Sequence, residues 1–386
     1  MRPIYLDYAA TTPVDARVAE KMCQYLTTEG EFGNPASRSH RLGWMAEEAV
    51  EEARNEVADL IGADSREIVW TSGATESNNL AIKGVAENYQ PQDCHILTSA
   101  IEHKAVLDPV LYLQDKGYPV TIIQPDRSGR VSAADIEPLL TDKTRLVSVM
   151  AVNNETGVVN DIEGIAHLCQ SKGIYLHVDA AQAIGKIAVN IEQWPVTLLS
   201  LSAHKFYGPK GIGALYVRRR SDLQLKPQIH GGGHERGMRS GTLATHQIVG
   251  MGTAATLVSE QLASESARLT ALRDRFWAGL SAIGNVSLNG ELEHRSPNHL
   301  NVCFHGVDGE SLMMAVRDLA ISSGSACTSA TVEPSFVLKA MGLSDADAHS
   351  SLRLSLGRYT TEADIETAIS RFTDAVLNLR RHAEPA

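Results

Sequence analysis

Two residues in this chain have the types and positions to work on one small heterocycle. Lys205 stands in Ser202-Ala203-His204-Lys205-Phe206-Tyr207-Gly208-Pro209-Lys210-Gly211, and Asp179 in His177-Val178-Asp179-Ala180-Ala181-Gln182. Each follows a short apolar run. A lysine amine can hold an aldehyde as a Schiff base, and an aspartate can keep a pyridine nitrogen protonated so that the ring accepts electrons. Pyridoxal 5'-phosphate (PLP) makes both demands. Alone, the first is a surface lysine and the second a strand-end carboxylate. Together, in turns of small residues after buried strands, they point to the cofactor.

Other residues fit around that pair. Trp70-Thr71-Ser72-Gly73-Ala74-Thr75-Glu76-Ser77-Asn78-Asn79 joins a predicted strand to a predicted helix. Glycine and small hydroxyl residues let backbone N–H groups approach an anion at a helix N-terminus. A plain capping turn, with Gly73 at the cap and Glu76 three residues on, is expected in either case. His103 follows a strand, where an imidazole can stack on a pyridine ring and move protons, or serve the structure alone. Gln182, three residues beyond Asp179, can donate to a ring oxygen. Asn154 also falls just after a predicted strand. Arg353, inside another, offers a fork for a carboxylate or an ordinary salt bridge.

Cys327 is framed by Ile321-Ser322-Ser323-Gly324-Ser325-Ala326 and Thr328-Ser329-Ala330. Small and hydroxyl neighbours predict an accessible loop, which suits a reactive thiolate. Cys23, Cys169 and Cys303 sit among apolar neighbours and read as core residues, and Cys94 is undecided. The segment from His230 to Thr242 spaces two histidines, His230 and His234, like a helical metal pair. The three glycines between them make a helix improbable, so no metal site is expected.

The elements that must position these residues are legible as periodicity. Ala46, Ala49, Val50, Ala53, Val57, Leu60 and Ile61 recur at helical spacing, with Gly62 as a stop. Short apolar runs follow at 68–70, 95–98, 120–123, 146–150, 174–178, 198–201 and 213–217, most of them separated by helix-like stretches such as 162–172. That alternation predicts an α/β fold with a mainly parallel sheet covered on both faces, whose ligands bind at the carboxyl ends of the strands. A polar helix pattern runs from near Ser259 to Leu280, and a domain boundary is expected within it. A smaller α+β unit follows, with strands at 298–304 and 351–355.

The 386 residues, 43% of them apolar, suffice for a large core in two or three domains. Lys and Arg number 35 against 46 Asp and Glu, a net charge of −11 without a long basic run. Direct nucleic-acid binding is therefore not expected. Five scattered cysteines without a Cys-x-x-Cys pair fit neither a disulfide framework nor a structural zinc site. The N-terminus lacks a signal-peptide apolar core, and no apolar stretch approaches the ~20 residues of a membrane span. A soluble protein of a reducing compartment, the cytoplasm, is expected.

The motifs resemble those of the PLP-dependent cysteine desulfurases of the IscS/NifS type, in the class V aminotransferase superfamily. They run from Tyr5-Leu6-Asp7-Tyr8-Ala9-Ala10-Thr11-Thr12-Pro13 through Phe32-Gly33-Asn34-Pro35-Ala36-Ser37, Thr71 to Ser77 and Val152-Asn153-Asn154-Glu155-Thr156-Gly157 to Leu354-Ser355-Leu356-Gly357-Arg358. The Ser322–Ser329 loop is similar to that of group I members. The resemblance implies PLP fold-type I. Residues 15–262 would form a large domain with a mainly parallel seven-stranded sheet. Residues 1–14 and 263–386 would form the small domain that carries the cysteine loop.

By residue, the resemblance implies that Lys205 is the Schiff-base lysine and proton shuttle. Asp179 would hold the pyridinium and Gln182 the phenolate oxygen, while His103 stacks on the ring. Ala74, Thr75, Ser202 and His204 would bind the phosphate, with Thr242 reaching over from a second subunit of a homodimer. Asn154 and Arg353 would grip the substrate carboxylate, and Cys327 would be the nucleophile. The implied reaction takes sulfur from L-cysteine, leaving L-alanine and a persulfide on Cys327. That sulfur would pass to an acceptor protein for iron–sulfur cluster assembly or for thio-modification of tRNA, a cofactor or DNA. A selenocysteine lyase, or a dedicated sulfur donor to a specialised pathway, is the alternative reading. Ala203 and Thr156 depart mildly from the motifs. The chain stops at Ala386, short of the tail that helps the housekeeping type dock its iron–sulfur scaffold, so the acceptor stays open.

Overall fold

A computed structural model describes residues 3–323 and 333–383. In chain order the strands are β1 (Ile4–Tyr5), β2 (Ile68–Thr71), β3 (His95–Ser99), β4 (Val120–Ile123), β5 (Thr144–Met150), β6 (Tyr175–Asp179), β7 (Leu198–Ser202) and β8 (Gly213–Val217). Then come β9 (Val286–Leu288), β10 (His299–Phe304), β11 (Leu319–Ala320), β12 (Ser322–Ser323) and β13 (Ser351–Ser355). β2 to β8 form one seven-stranded sheet in the order β2-β8-β7-β6-β5-β3-β4. Only β8 runs against its neighbours. Every residue of β2, β3, β6 and β7 is buried. Continuous apolar runs are what a sheet covered on both faces requires, and the predicted mainly parallel architecture is the one observed.

Helices α1 (Ala16–Cys23), α2 (Arg41–Ile61), α3 (Ala74–Ala86) and α4 (Lys104–Asp115) precede and interleave with the first strands. In α2 the residues at helical spacing, Ala46, Ala49, Val50, Ala53, Val57 and Ile61, are buried, and Leu60 is partly buried against the same core. Gly62, at φ 70°, ends the helix in the left-handed conformation. α5 (Ala133–Ile136) and α6 (Ile162–Lys172) follow, and then α7 (Thr245–Ser281), 37 residues long. α7 begins well before Ser259, where the sequence predicts a start. Its first half is buried nearly all round and carries Gly250 and Gly252, so no polar stripe marks it. Those glycines have a packing reason: a Cβ on Gly252 would stand 2.7 Å from Ala53 Cα in α2.

Ile248, Met251, Ala255 and Val258 of α7 belong to the core under the large sheet, together with α2 and strands β2 to β8. Leu269, Leu272, Phe276 and Leu280 belong to a second core with Leu300, Val302, Leu352 and Leu354 of β10 and β13. α8 (Gly309–Ala315), α9 (Phe336–Ala340), α10 (Asp345–His349) and α11 (Glu362–Ala383) complete the chain. Phe372 of α11 stacks on Phe304 at 5.3 Å between centroids. The second unit holds the four-stranded sheet β12-β13-β10-β9 and the parallel pair β1-β11. Leu6 sits in this core, so the N-terminal strand packs with the C-terminal unit.

Two buried ionic clusters join distant segments. Arg54 of α2 forms a two-pronged pair with Glu235, at 2.7 and 3.0 Å, while the Trp70 amide donates to Glu235 Oε2 at 2.8 Å. Glu235 and Arg236 both take positive φ, 50° and 57°, and the pair holds them there. Arg358 bonds Asp15 and Glu265 and lies 4.1 Å over the Tyr207 ring. Glu235→Ala leaves the buried Arg54 guanidinium with only the half-exposed Glu51 as a carboxylate partner and is expected to lower unfolding stability by about 3 kcal/mol. A urea titration checks this; a loss below about 1 kcal/mol would show that solvent replaces the partner.

Candidate active site

Asp179 is the last residue of β6 and Ser202 the last of β7, which are hydrogen-bonded neighbours. Lys205 closes the single 3-10 turn that follows β7. Their side chains meet in a cavity of about 470 Å3 at the carboxyl ends of the strands. Ala74, Thr75, His103, Asn154, Gln182, His204 and Arg353 line the same cavity, so the sequence-assigned residues converge apart from two. Thr242 is exposed and outside this cavity wall. Cys327 lies outside the described residues.

The charged groups are held by specific partners. Asp179 Oδ2 accepts from Asn78 Nδ2 at 2.8 Å, and its Oδ1 from the Ala181 amide at 2.9 Å. Lys205 Nζ donates to the carbonyls of Ala9 and Ala10 at 2.6 and 2.8 Å. Gln182 Nε2 also donates to Ala9 O, at 2.9 Å. The Lys205 carbonyl accepts from Lys186 Nζ at 3.0 Å, and burial pulls the Lys186 amine down to about 8.

His103 serves structure and site together. It is the N-cap of α4, its Nδ1 accepting from the Ala105 amide at 3.0 Å. Burial lowers its pKa against the pull of the Asp179 charge. The ring is therefore neutral near pH 7, with its proton on Nε2. Burial also takes His204 down to about 4, helped by Lys205 and Lys210. Its role is that of a neutral hydrogen-bonding ring, with Nδ1 3.1 Å from Thr11 Oγ1.

Arg353 makes the salt bridge that its sequence context allows, and it does so in the cavity wall. It pairs with Asp7 at 2.8 Å and donates to Asn154 O at 3.1 Å. Among the described residues, its buried Nε–H has no hydrogen-bond partner, and neither does the buried Asn154 Oδ1. Orphaned buried polar groups at a cavity are positions where a ligand can complete the bonding. At another wall, α3 starts at Gly73 with no side chain capping it. The N-terminal N–H groups of Ala74 and Thr75 thus share the cavity with Ser202 and His204, an arrangement suited to a phosphate. A β-carbon on Gly213 would stand 2.6 Å from Gly73 Cα, so the cradle requires glycine there. Amine, carboxylate, uncapped helix and unsatisfied polar atoms fit PLP.

Sequence reasoning assigned no role to Asn78 or Glu102. Asn78 is a buried polar residue within the apolar face of α3, and that break in the pattern was its signal. Glu102 is fully buried: Oε1 accepts from Ser99 Oγ at 2.5 Å and the Met150 amide at 3.0 Å, while Oε2 has no partner. Burial, reinforced by Asp179, pushes its pKa up to about 8.

Cys23 corrects an expectation. It is exposed, not core. In α1 only Val18 is buried, and five residues on is about 140° around a helix. Cys94, Cys169 and Cys303 are buried, and burial pushes their thiols up to about 11, 12 and 11. The His230–His234 stretch is not helical, as its glycines predict.

Fold and site together define a PLP-dependent enzyme of fold-type I. The aminotransferase class-V family model matches residues 4–367. Cysteine desulfurase IscS of Proteus mirabilis (strain HI4320) is 61% identical over 378 residues, 98% of this chain and 94% of that protein. Among solved structures, a NifS-like protein superposes with TM-score 0.90 at 36% identity, covering 98% of this chain and 100% of that one. SspA in complex with cysteine gives 0.82 at 40% identity, covering 93% and 100%. The chain belongs to the class-V aminotransferase family, and within it to the group I cysteine desulfurases of the IscS/NifS type.

Glu102 supplies a pH signature. Its folded pKa of about 8 lies above the ordinary value, so the stability it contributes is complete in acid and is lost as pH rises through about 8. Glu102→Gln removes that titration. Measured by denaturant melts, the variant is expected to gain on the wild type as pH is raised from about 5 to about 8. A gap independent of pH would show that Glu102 titrates normally.

Proposed function

We propose that this protein removes sulfur from L-cysteine, using the residues above in the following roles. The observation that carries the reading is the convergence of Lys205, Asp179 and an uncapped helix N-terminus with Arg353 in one cavity. Lys205 Nζ would hold the cofactor aldehyde, Asp179 its ring nitrogen, Gln182 its ring oxygen, and Ala74, Thr75, Ser202 and His204 its phosphate. Bound there, PLP supplies the acceptor for the electrons released when the substrate's α-proton and C–S bond are lost. Asn154, through Nδ2, and the Nε–H of Arg353 would donate to the substrate carboxylate. That would fix the α-proton for transfer to Lys205 Nζ, which can take it once the substrate amine has displaced it from the aldehyde. His103, in the same cavity wall, would lie against the ring and donate or recover a proton through Nε2.

The Cys327 thiolate attacks the substrate sulfur. An S–S bond forms, the C–S bond breaks, and after reprotonation the products are L-alanine and a persulfide on Cys327. The described flanks support this role for the segment. Ser322 of β12 pairs with Arg353, and Ser335 Oγ donates to Glu155 Oε2 at 2.5 Å, beside Asn154. The persulfide sulfur then passes to an acceptor protein, for iron–sulfur cluster assembly or thio-modification.

The working form is a homodimer in the cytoplasm. Thr242 is exposed outside its own cavity, and the apolar side chains Phe32, Leu42 and Trp44 are 52%, 38% and 55% exposed. A dimer would bring Thr242 to the partner's phosphate. Among the described residues, no helix is long and apolar enough to cross a membrane.

Alanine and sulfide release from L-cysteine tests the reaction. Cys327→Ala is expected to lose activity by about 100-fold or more while retaining the cofactor's visible band. Lys205→Ala is expected to lose that band. Wild-type rates in Cys327→Ala would refute the persulfide route. Light scattering is expected to give twice the chain mass; a monomer would contradict the shared site.

A further inference from the structure

We infer that the small unit contains a binding site for a divalent cation of the zinc class, formed by Cys303, His305 and Asp347. The site is separate from the cavity: none of the three residues lines it. Cys303 is the penultimate residue of β10, and His305 follows the strand's end. Residues two apart on an extended chain project to one face, so thiol and imidazole emerge together. Asp347 comes from α10, which packs against that end of β10.

The ligand atoms already stand close. His305 Nδ1 lies 3.5 Å from Cys303 Sγ and 3.0 Å from Asp347 Oδ1, and Sγ to Oδ1 is 3.9 Å. A tetrahedral zinc ion with bonds of about 2.0–2.3 Å separates such ligands by about 3.3–3.7 Å. The observed triangle needs shifts of a few tenths of an ångström.

Thiolate, imidazole and carboxylate are the donor set that zinc prefers. The surroundings supply the outer contacts such ligands need. His305 Nε2 lies 2.8 Å from Ser287 Oγ, so Nε2–H can donate there while Nδ1 faces the metal. Ser344 Oγ donates to Asp347 Oδ2 at 2.8 Å, leaving Oδ1 for coordination. The side chains of His305 and Asp347 are 35% and 41% exposed, which gives entry and a fourth position for water. Coordination releases the Cys303 thiol proton, and the imidazole stays neutral with its proton on Nε2. Bound metal would clip the end of β10 to the helix that leads into β13, the strand of Arg353.

The test uses Cys327→Ala holoenzyme, so that the loop thiol cannot contribute. After chelator treatment the protein is titrated with Co2+. One equivalent per chain is expected to bind, with intense tetrahedral d–d bands to the red of the cofactor and a thiolate charge-transfer band, both abolished by Zn2+. Adding Cys303→Ala removes the thiolate band. Adding His305→Ala or Asp347→Asn, at partly exposed positions that leave the core intact, weakens binding by about 100-fold or more. Absence of tetrahedral bands at saturating Co2+, or bands unchanged in the Cys303→Ala and His305→Ala backgrounds, overturns the site. The cluster would then be only a hydrogen-bonded Asp–His–Ser chain beside a buried thiol.

Discussion

The pairing of β6 with β7 is the constraint on which the rest depends. Asp179 faces Ser200 across that ladder, and adjacent strands stand about 4.8 Å apart. The carboxylate at the end of one strand and the lysine one turn past the other therefore have little freedom to separate. Hydrogen bonds between buried backbones set this spacing. It is as rigid as the sheet, and the side chains have only to reach inward from it.

Such proximity in a buried place has an electrostatic consequence, and much of the remaining structure answers it. A buried charge needs partners. Asn78 and a backbone amide satisfy Asp179, and the Ala9 and Ala10 carbonyls satisfy Lys205. The carbonyls come from the N-terminal segment, whose Leu6 is anchored in the second core. Arg353 reaches in from that second core too, tied to Asp7. The large-sheet part thus supplies the carboxylate with its partners and the lysine, while the N-terminal segment and the smaller unit supply the lysine's acceptors and the guanidinium.

Local pattern made the sheet legible, because strands buried on both faces read as unbroken apolar runs. The α2 stripe was legible for the same reason in helical form. What escaped were features set by partners far along the chain. The early start of α7 is invisible in periodicity, since its first half touches protein on nearly every side. Asn78 gains its meaning only when α3 lies over β6. Cys23 looked apolar by its neighbours, yet which side of α1 faces solvent is decided by what packs on Val18. The Arg54–Glu235 and Arg353–Asp7 pairs join residues with no local relation, and so does the place of the His103 cap in the cavity wall.

The length of α7 carries one more consequence. At about 1.5 Å per residue the helix is a rod of roughly 55 Å, seated at one end in the core under the large sheet and at the other in the core of the small unit. Neither core can melt without exposing half of that rod to water. Loss of one seat removes contacts that stabilise the helix, and fraying then propagates toward the other. The two cores are thermodynamically one cooperative unit, and heat should meet a single transition where the architecture suggests two.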